Sequence, residues 1–236
     1  MAAPMIPYSL PRPDPDIQLE RGQSFRDEMA RRRSVRFFSD EPVPRELVDL
    51  AIETASTAPS GAHKQPWTYV VTGDRDIKAQ IREAAEEEER VNYEEGRLPP
   101  HWREDLEPLG TDWRKPFLEK VPWIVVLFEQ RYGIRDDGSR SHHYYVKESV
   151  GISAGLFIAA LHHMGLATLT HTPSPMRFLT KLLGRPESER PFCLLPVGYP
   201  AEDCVVPDLR RKSLSEVMVT IGNASVSDNP SQRRKN

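Results

Sequence analysis

Two groups of residues in this 236-residue chain have types and spacing that could do chemistry. The first is Arg31-Arg32-Arg33-Ser34-Val35-Arg36-Phe37, which holds four arginines in six positions with a hydroxyl among them and aromatic residues behind. A guanidinium presents a planar fork of N–H donors that matches phosphate or carboxylate oxygens, and Ser34 adds one more donor. The formal net charge is −3 and the isoelectric point is near 6.2, so nothing overall favours nucleic acid or an anionic membrane surface. A local arginine cluster in a net-acidic chain then points to a local anion. A second basic run, Arg210-Arg211-Lys212, stands near the other end, and the two could converge on one phosphate. There is no GxGxxG and no GxxxxGK[ST], which excludes the dinucleotide fingerprint and the P-loop. Any phosphate must be held by side chains.

The second group is Glu89, Tyr93 and Lys115. Glu89 and Tyr93 are four apart and share one helical face. A carboxylate, a phenol and an ammonium brought together would suit a zwitterion: Glu89 for its ammonium, Lys115 for its carboxylate, Tyr93 for orientation. Taken alone, the acidic run Glu86–Glu89 is equally a solvated helix face. Two further stretches could border a flat ligand. Pro59-Ser60-Gly61-Ala62 is a small-residue turn that lets a ligand approach the backbone, or an ordinary tight connection. Thr168-Leu169-Thr170-His171-Thr172 places hydroxyls at a strand end where one could donate to a ring nitrogen, although threonine's β-propensity explains it equally. His142, His143, His162 and His163 do not make a metal site: adjacent histidines on a helix point about 100° apart, and no carboxylate or cysteine joins them at ligand spacing. Cys193 and Cys204 are too few for a disulfide framework, and a reduced cytoplasm is the expected location.

The elements that must position these groups follow from pattern. Mean hydropathy is low at −0.56, and the polar ends account for much of it. Residues 1–23, with five prolines from Pro4 to Pro15, read as an extended arm, because proline lacks an N–H and fixes φ. Ser24 to Arg33 reads as a short helix with Ser24 as N-cap. Pro44 to Ala58 is a helix by the spacing of Leu47, Leu50, Ala51, Thr54 and Ala55. Trp67–Thr72 is a strand, and Ile77–Tyr93 a helix started by Asp74-Arg75-Asp76. Glu94 to Pro116 lacks clear periodicity and reads as a lid or binding segment. Trp123–Phe128 is a buried central strand. A loop from Arg131 to Ser141 leads to a long helix His142–Met164, with Gly165 beyond its end. Ala167–Thr170 is a strand, Met176–Leu183 a short helix, Phe192–Tyr199 a strand, and Ser213–Met218 a last turn or strand. Residues 220–236 read as a polar, disordered tail, leaving one domain over 24–219. No window reaches the ~20 apolar residues of a membrane span, and there is no secretory signal. Helices and strands mix without a βαβ rhythm, which indicates α+β with one sheet.

These pieces, in this order, resemble the nitroreductase superfamily of flavoproteins, and within it the iodotyrosine deiodinase branch. The residues that carry the resemblance are Arg31–Phe37, Thr57–His63, Pro66-Trp67, Glu86–Glu89 with Asn92-Tyr93, Trp113 and Lys115, His143-Tyr144-Tyr145, Gly184-Arg185-Pro186, Leu195–Pro200 and Val206–Lys212. The set Glu89, Tyr93 and Lys115 is what marks the deiodinase branch. The resemblance implies a nitroreductase-like fold, a central mainly antiparallel sheet flanked by helices, in an intertwined homodimer with FMN at the interface. It implies that Arg32, Arg33, Ser34, Val35 and Arg36 hold the phosphate and ribityl region, with Arg211 closing on it. Ser60 and Gly61 would lie along the flavin from the partner subunit. Thr170, His171 and Thr172 would border the ring, Thr172 donating to N5 and so favouring one-electron steps over hydride transfer. Ala62, Glu89, Tyr93 and Lys115 would grip the amino-acid end of a halotyrosine. The electrons would come from NAD(P)H or a separate reductase. The implied protein is a cytoplasmic enzyme without the membrane anchor of animal members. A general NAD(P)H-dependent nitroreductase or quinone reductase is the alternative activity, and a flavin-binding sensor the alternative without one. His171 departs from the branch, which would have a third hydroxyl residue there.

Overall fold

The computed structural model describes residues 3–222, and the part of the expected polar tail from residue 223 onward lies outside them. The chain falls into two compact units, Met1–Val206 and Pro207–Asn236.

In the first unit the elements in chain order are α1 (Pro15–Ala30), α2 (Arg45–Ser56), a 3-10 turn at Gly61–His63, β1 (Trp67–Thr72), α3 (Arg75–Glu94), α4 (Pro100–Leu106), a 3-10 turn at Glu107–Leu109, α5 (Phe117–Lys120), β2 (Trp123–Gln130), β3 (Tyr132–Ile134), β4 (Arg140–His142), α6 (Val146–His163), β5 (Ala167–Thr168), α7 (Arg177–Leu182) and β6 (Glu189–Gly198). The main sheet runs β1-β2-β6-β5, and every ladder in it is antiparallel. Beyond β5 a single parallel bridge joins Ser34 to Thr168. In the second unit, α8 (Leu214–Val217) is a helical turn closed by a Ser213–Glu216 capping box, where a turn or strand was expected.

β2 is buried on both faces because helices cover both. Val125 and Leu127 face one cluster with residues of α2 and α6, including Val48, Ala51, Val150 and Phe157. Ile124, Val126 and Phe128 face the other with Ile81 and Ala85 of α3, Phe117 and Leu118 of α5 and Leu179 of α7. The alternation is the period of two of a strand, and it puts α2 and α6 on one side of the sheet and α3, α5 and α7 on the other.

Four expectations need correction. The extended arm ends at Asp14, and Pro15 opens α1 at its first helical position, where its missing N–H is no loss; Ser24 is therefore in mid-helix. The long helix begins at Val146 and not His142, because Tyr145 adopts a left-handed φ of 48° that a helix cannot propagate. His142 pairs instead with Tyr132 in the β3–β4 hairpin, which replaces the expected loop. The segment after Glu94 is partly regular, with Pro100 starting α4. No helix among the described residues is long and apolar enough to cross a membrane.

Candidate active site

The arginine stretch follows α1 and is pinned to the sheet: Val35 N donates to Thr168 O at 3.2 Å. The arginine stretch thus meets the chain at Thr168, and residues of the two segments help line two cavities. One, of about 480 Å³, is lined by Arg31, Arg32, Arg33, Val35, Ala167 and Thr168 among others. The other, of about 200 Å³, is lined by Arg36 with Glu89, Tyr93, Lys115 and Thr170, His171 and Thr172. Arg36 lines one cavity and Arg32 and Arg33 the other.

In the smaller cavity Lys115 Nζ lies 3.6 Å from Glu89 Oε2, with side chains only 4% and 13% exposed. Lys115 also donates to the Asp112 carbonyl, and its ammonium sits 5.6 Å from the centre of the Tyr93 ring. Its backbone N–H donates to Glu86 Oε1 at 2.6 Å, so the acidic run of α3 holds the far segment in place. Burial pushes the Glu89 carboxyl up, and Lys115 pulls it back. Burial likewise pushes the Lys115 ammonium down, against Glu89 and Asp112, which raise it, while Arg36 adds to the lowering. Tyr93 is raised, first by burial and then by Glu89, and hydrogen-bonds Thr111. Two opposite charges out of water cost several kcal/mol each unless well partnered.

The strand end alternates. His171 N and O both pair with Leu194, at 2.8 and 2.9 Å, so its side chain points into the layer of Phe117, whose ring it meets edge-on at 6.0 Å. Thr170 and Thr172 stay exposed. Burial, with Lys115 and Arg36 nearby, holds the His171 imidazole down to about 3, so it is neutral. Among the described residues, His171 Nε2 is the buried side-chain polar atom left without a hydrogen-bond partner.

Ser60, Gly61 and Ala62 line neither cavity. They follow α2, and Gly61 N reaches Ser149 Oγ of α6 at 3.4 Å, which places them with the helices on the opposite side of the sheet from α3. Ala62, His63 and Gln65 have φ of 50°, 53° and 46°, a conformation that costs on the order of 1 kcal/mol per residue without a compensating frame. Gly61 is required here, since a Cβ would come within 2.6 Å of Tyr144 O. Arg211 belongs to the second unit, in the stretch ahead of α8.

Sequence reasoning gave no site role to Asn92, whose Nδ2 donates to Ser174 O at 3.0 Å, or to Trp102, Thr111 and Phe117, which line the smaller cavity. Asn92 precedes Tyr93 on α3 and was legible as its neighbour. Trp102 and Thr111 sit in the segment read as lacking periodicity, and Phe117 opens the short α5 just after it.

Among known proteins, the nitroreductase family model matches residues 29–199. Iodotyrosine deiodinase of Haliscomenobacter hydrossis is 54% identical over 214 residues, which cover 91% of this chain and 96% of the relative. Iodotyrosine deiodinase 1 of Homo sapiens is 45% identical over 219 residues, covering 92% of this chain and 75% of that protein. A crystal structure of oxidized iodotyrosine deiodinase bound to FMN and 3-iodo-L-tyrosine aligns with a TM-score of 0.73 at 30% identity, over 84% of this chain and 98% of that one.

Proposed function

Because the chain belongs to the nitroreductase family, on its iodotyrosine deiodinase branch, we propose that it is an FMN-dependent oxidoreductase that removes halide reductively from halotyrosines. The observation that carries the reading is the Glu89–Lys115 pair, buried beside Tyr93 in the same cavity as Thr170, His171 and Thr172.

The residues present fit FMN. A group with one anionic end and a flat polar head needs cations at one place and neutral donors at another. Arg32 and Arg33 border the larger cavity, Arg36, Thr170 and Thr172 the smaller, and His171 Nε2 is a buried polar atom still lacking a partner. Arg32, Arg33 and Ser34 would hold the phosphate, Arg36 and Thr170 the ring edge, and Thr172 would donate to N5. When bound and reduced, FMN supplies the two electrons of the reaction, in which the carbon–halogen bond breaks, halide leaves and a proton adds to the ring carbon.

This chain's residues do the rest. Glu89 takes the substrate ammonium, Lys115 its carboxylate and Tyr93 orients the main chain of the amino acid. Substrate binding would replace the Glu89–Lys115 contact and order the lid over residues 94–116, excluding water. The partner subunit of a homodimer would bring Ser60, Gly61 and Ala62 to this cavity, since within one chain they lie across the sheet from it. A general nitroreductase transferring hydride from NAD(P)H needs no buried zwitterion clamp, which favours the deiodinase reading. NAD(P)H or a separate reductase would reload the flavin.

The test is a titration. Purified protein should be yellow with FMN, halotyrosine should quench the fluorescence of the oxidised flavin, and dithionite-reduced protein should release iodide from iodotyrosine. A flavin spectrum and fluorescence unmoved by halotyrosine would sink the reading.

A further inference from the structure

Among the described residues, left-handed backbone at non-glycine positions is confined to two segments, Ala62, His63 and Gln65 in one and Tyr145 in the other. The segments touch. Gly61 packs so closely against Tyr144 that no Cβ would fit between them. One buried hydroxyl joins them: Ser149 Oγ donates to Tyr145 O at 2.6 Å and accepts from Gly61 N at 3.4 Å. Ser149 N also donates to Tyr145 O, at 2.9 Å. Inside the turn, Ser60 Oγ accepts from Gln65 N at 2.9 Å. Strained backbone persists only where its surroundings over-determine it, and such positions gather at functional sites.

Ser153 gives the contrast. It lies one turn further along α6, and it and Ser149 are 0% and 3% exposed. Its hydroxyl donates to Ala55 O at 3.0 Å and pairs with the Tyr69 hydroxyl at 2.8 Å. Those partners lie on a regular helix and a regular strand. Two neighbouring serines of equal burial therefore hold different things: Ser153 holds core elements together, and Ser149 holds two strained segments in register.

We infer that Ser149 is a positioning residue for halotyrosine recognition, fixing the turn that presents Gly61 and Ala62. The inference rests on the deiodinase reading above, in which that turn faces substrate. Ser149 touches neither flavin nor substrate. It sets the place of Ala62 in the turn, so its loss weakens halotyrosine binding, while the arginines that hold the FMN phosphate lie on another segment and keep the cofactor in place.

The experiment titrates halotyrosine into FMN-loaded wild type, Ser149→Ala, Ser149→Cys, Ser149→Thr and Ser153→Ala, reading flavin fluorescence, bound FMN and thermal melting on each. Ser149→Ala should keep its FMN and raise the halotyrosine Kd about tenfold, the scale of one committed hydrogen bond. Ser149→Cys, which keeps the volume and weakens the bond, should raise Kd in the same direction and serves where the alanine variant folds poorly. Ser149→Thr should restore affinity, because a helical threonine can still bond the carbonyl four residues back. Ser153→Ala should melt earlier with Kd unchanged. The inference is overturned if Ser149→Ala and Ser149→Cys bind halotyrosine as wild type does, or if Ser153→Ala weakens binding as much as they do. Wild type that holds FMN but shows no quenching overturns the deiodinase reading instead, before any variant is compared.

Discussion

The two cavities flanking residues 31–36 and 167–172 use charge in opposite ways. The larger is edged by the consecutive guanidinium side chains of Arg31, Arg32 and Arg33, on backbone bridged to the sheet through Ser34 and Thr168. The smaller holds a matched pair, Glu89 and Lys115, already in contact with each other, on a helix end and a loop. Consecutive guanidinium forks suit a ligand that stays, such as a cofactor phosphate. A self-neutralised pair suits a ligand that carries both signs and comes and goes, because binding exchanges one ion pair for two without leaving a buried charge alone.

That contrast can be broken most directly at the arginine end. Arg32→Ala combined with Arg33→Ala should lower FMN affinity by at least about 100-fold, since each charged hydrogen bond to phosphate contributes roughly 1.5–3 kcal/mol. Colourless protein off the column and a flavin titration read this. If the double variant keeps stoichiometric FMN, the larger cavity is not the anion site.

At the other end, Lys115→Ala should leave FMN content unchanged while raising the halotyrosine Kd about 30-fold, near 2 kcal/mol, because it leaves the Glu89 carboxylate buried and unpaired. Equal loss of flavin and halotyrosine would erase the distinction between the two cavities.

The smallest effect is in pH. Burial raises the Glu89 carboxyl, so as pH falls Glu89 takes up its proton earlier than an exposed glutamate, and its hold on the substrate ammonium is lost there. Burial lowers the Lys115 ammonium, so as pH rises it loses its charge earlier than an exposed lysine. Halotyrosine affinity should therefore peak between two limbs drawn inward from both sides, and Glu89→Gln should abolish the acid limb. His171, held down to about 3, stays neutral above pH 4 and should contribute no limb of its own. An acid limb that survives in Glu89→Gln would assign it elsewhere.

Much of this was legible from local pattern. Trp67–Thr72 has the same bounds in sequence and structure, because a β-branched and aromatic run between breakers has one good conformation. Glu89 and Tyr93 were placed on one face by helical spacing, and Lys115 was paired with them on charge. The start of α6 was misread because nothing in His142-His143-Tyr144-Tyr145 announces a left-handed residue; contacts with the Gly61 turn impose it. Ser24 was misread as a cap because proline at position 15, which suits a first helical turn, was grouped with four others that do not.

The chain's own order of residues determined most of the elements, the continuous apolar run that makes β2 central, the cation-rich stretch and the helical face that Glu89 and Tyr93 share. All of these depend on period, propensity and side-chain chemistry over a few residues. Only the tertiary structure decided that Arg36 lines a different cavity from Arg32 and Arg33, that Glu89 and Lys115 are buried against each other, that His171 turns inward while its threonine neighbours do not, and that Ser149, 88 residues from Gly61 in sequence, joins two strained segments. Those depend on sheet register and on which face each helix covers, which are set by packing between segments distant in sequence.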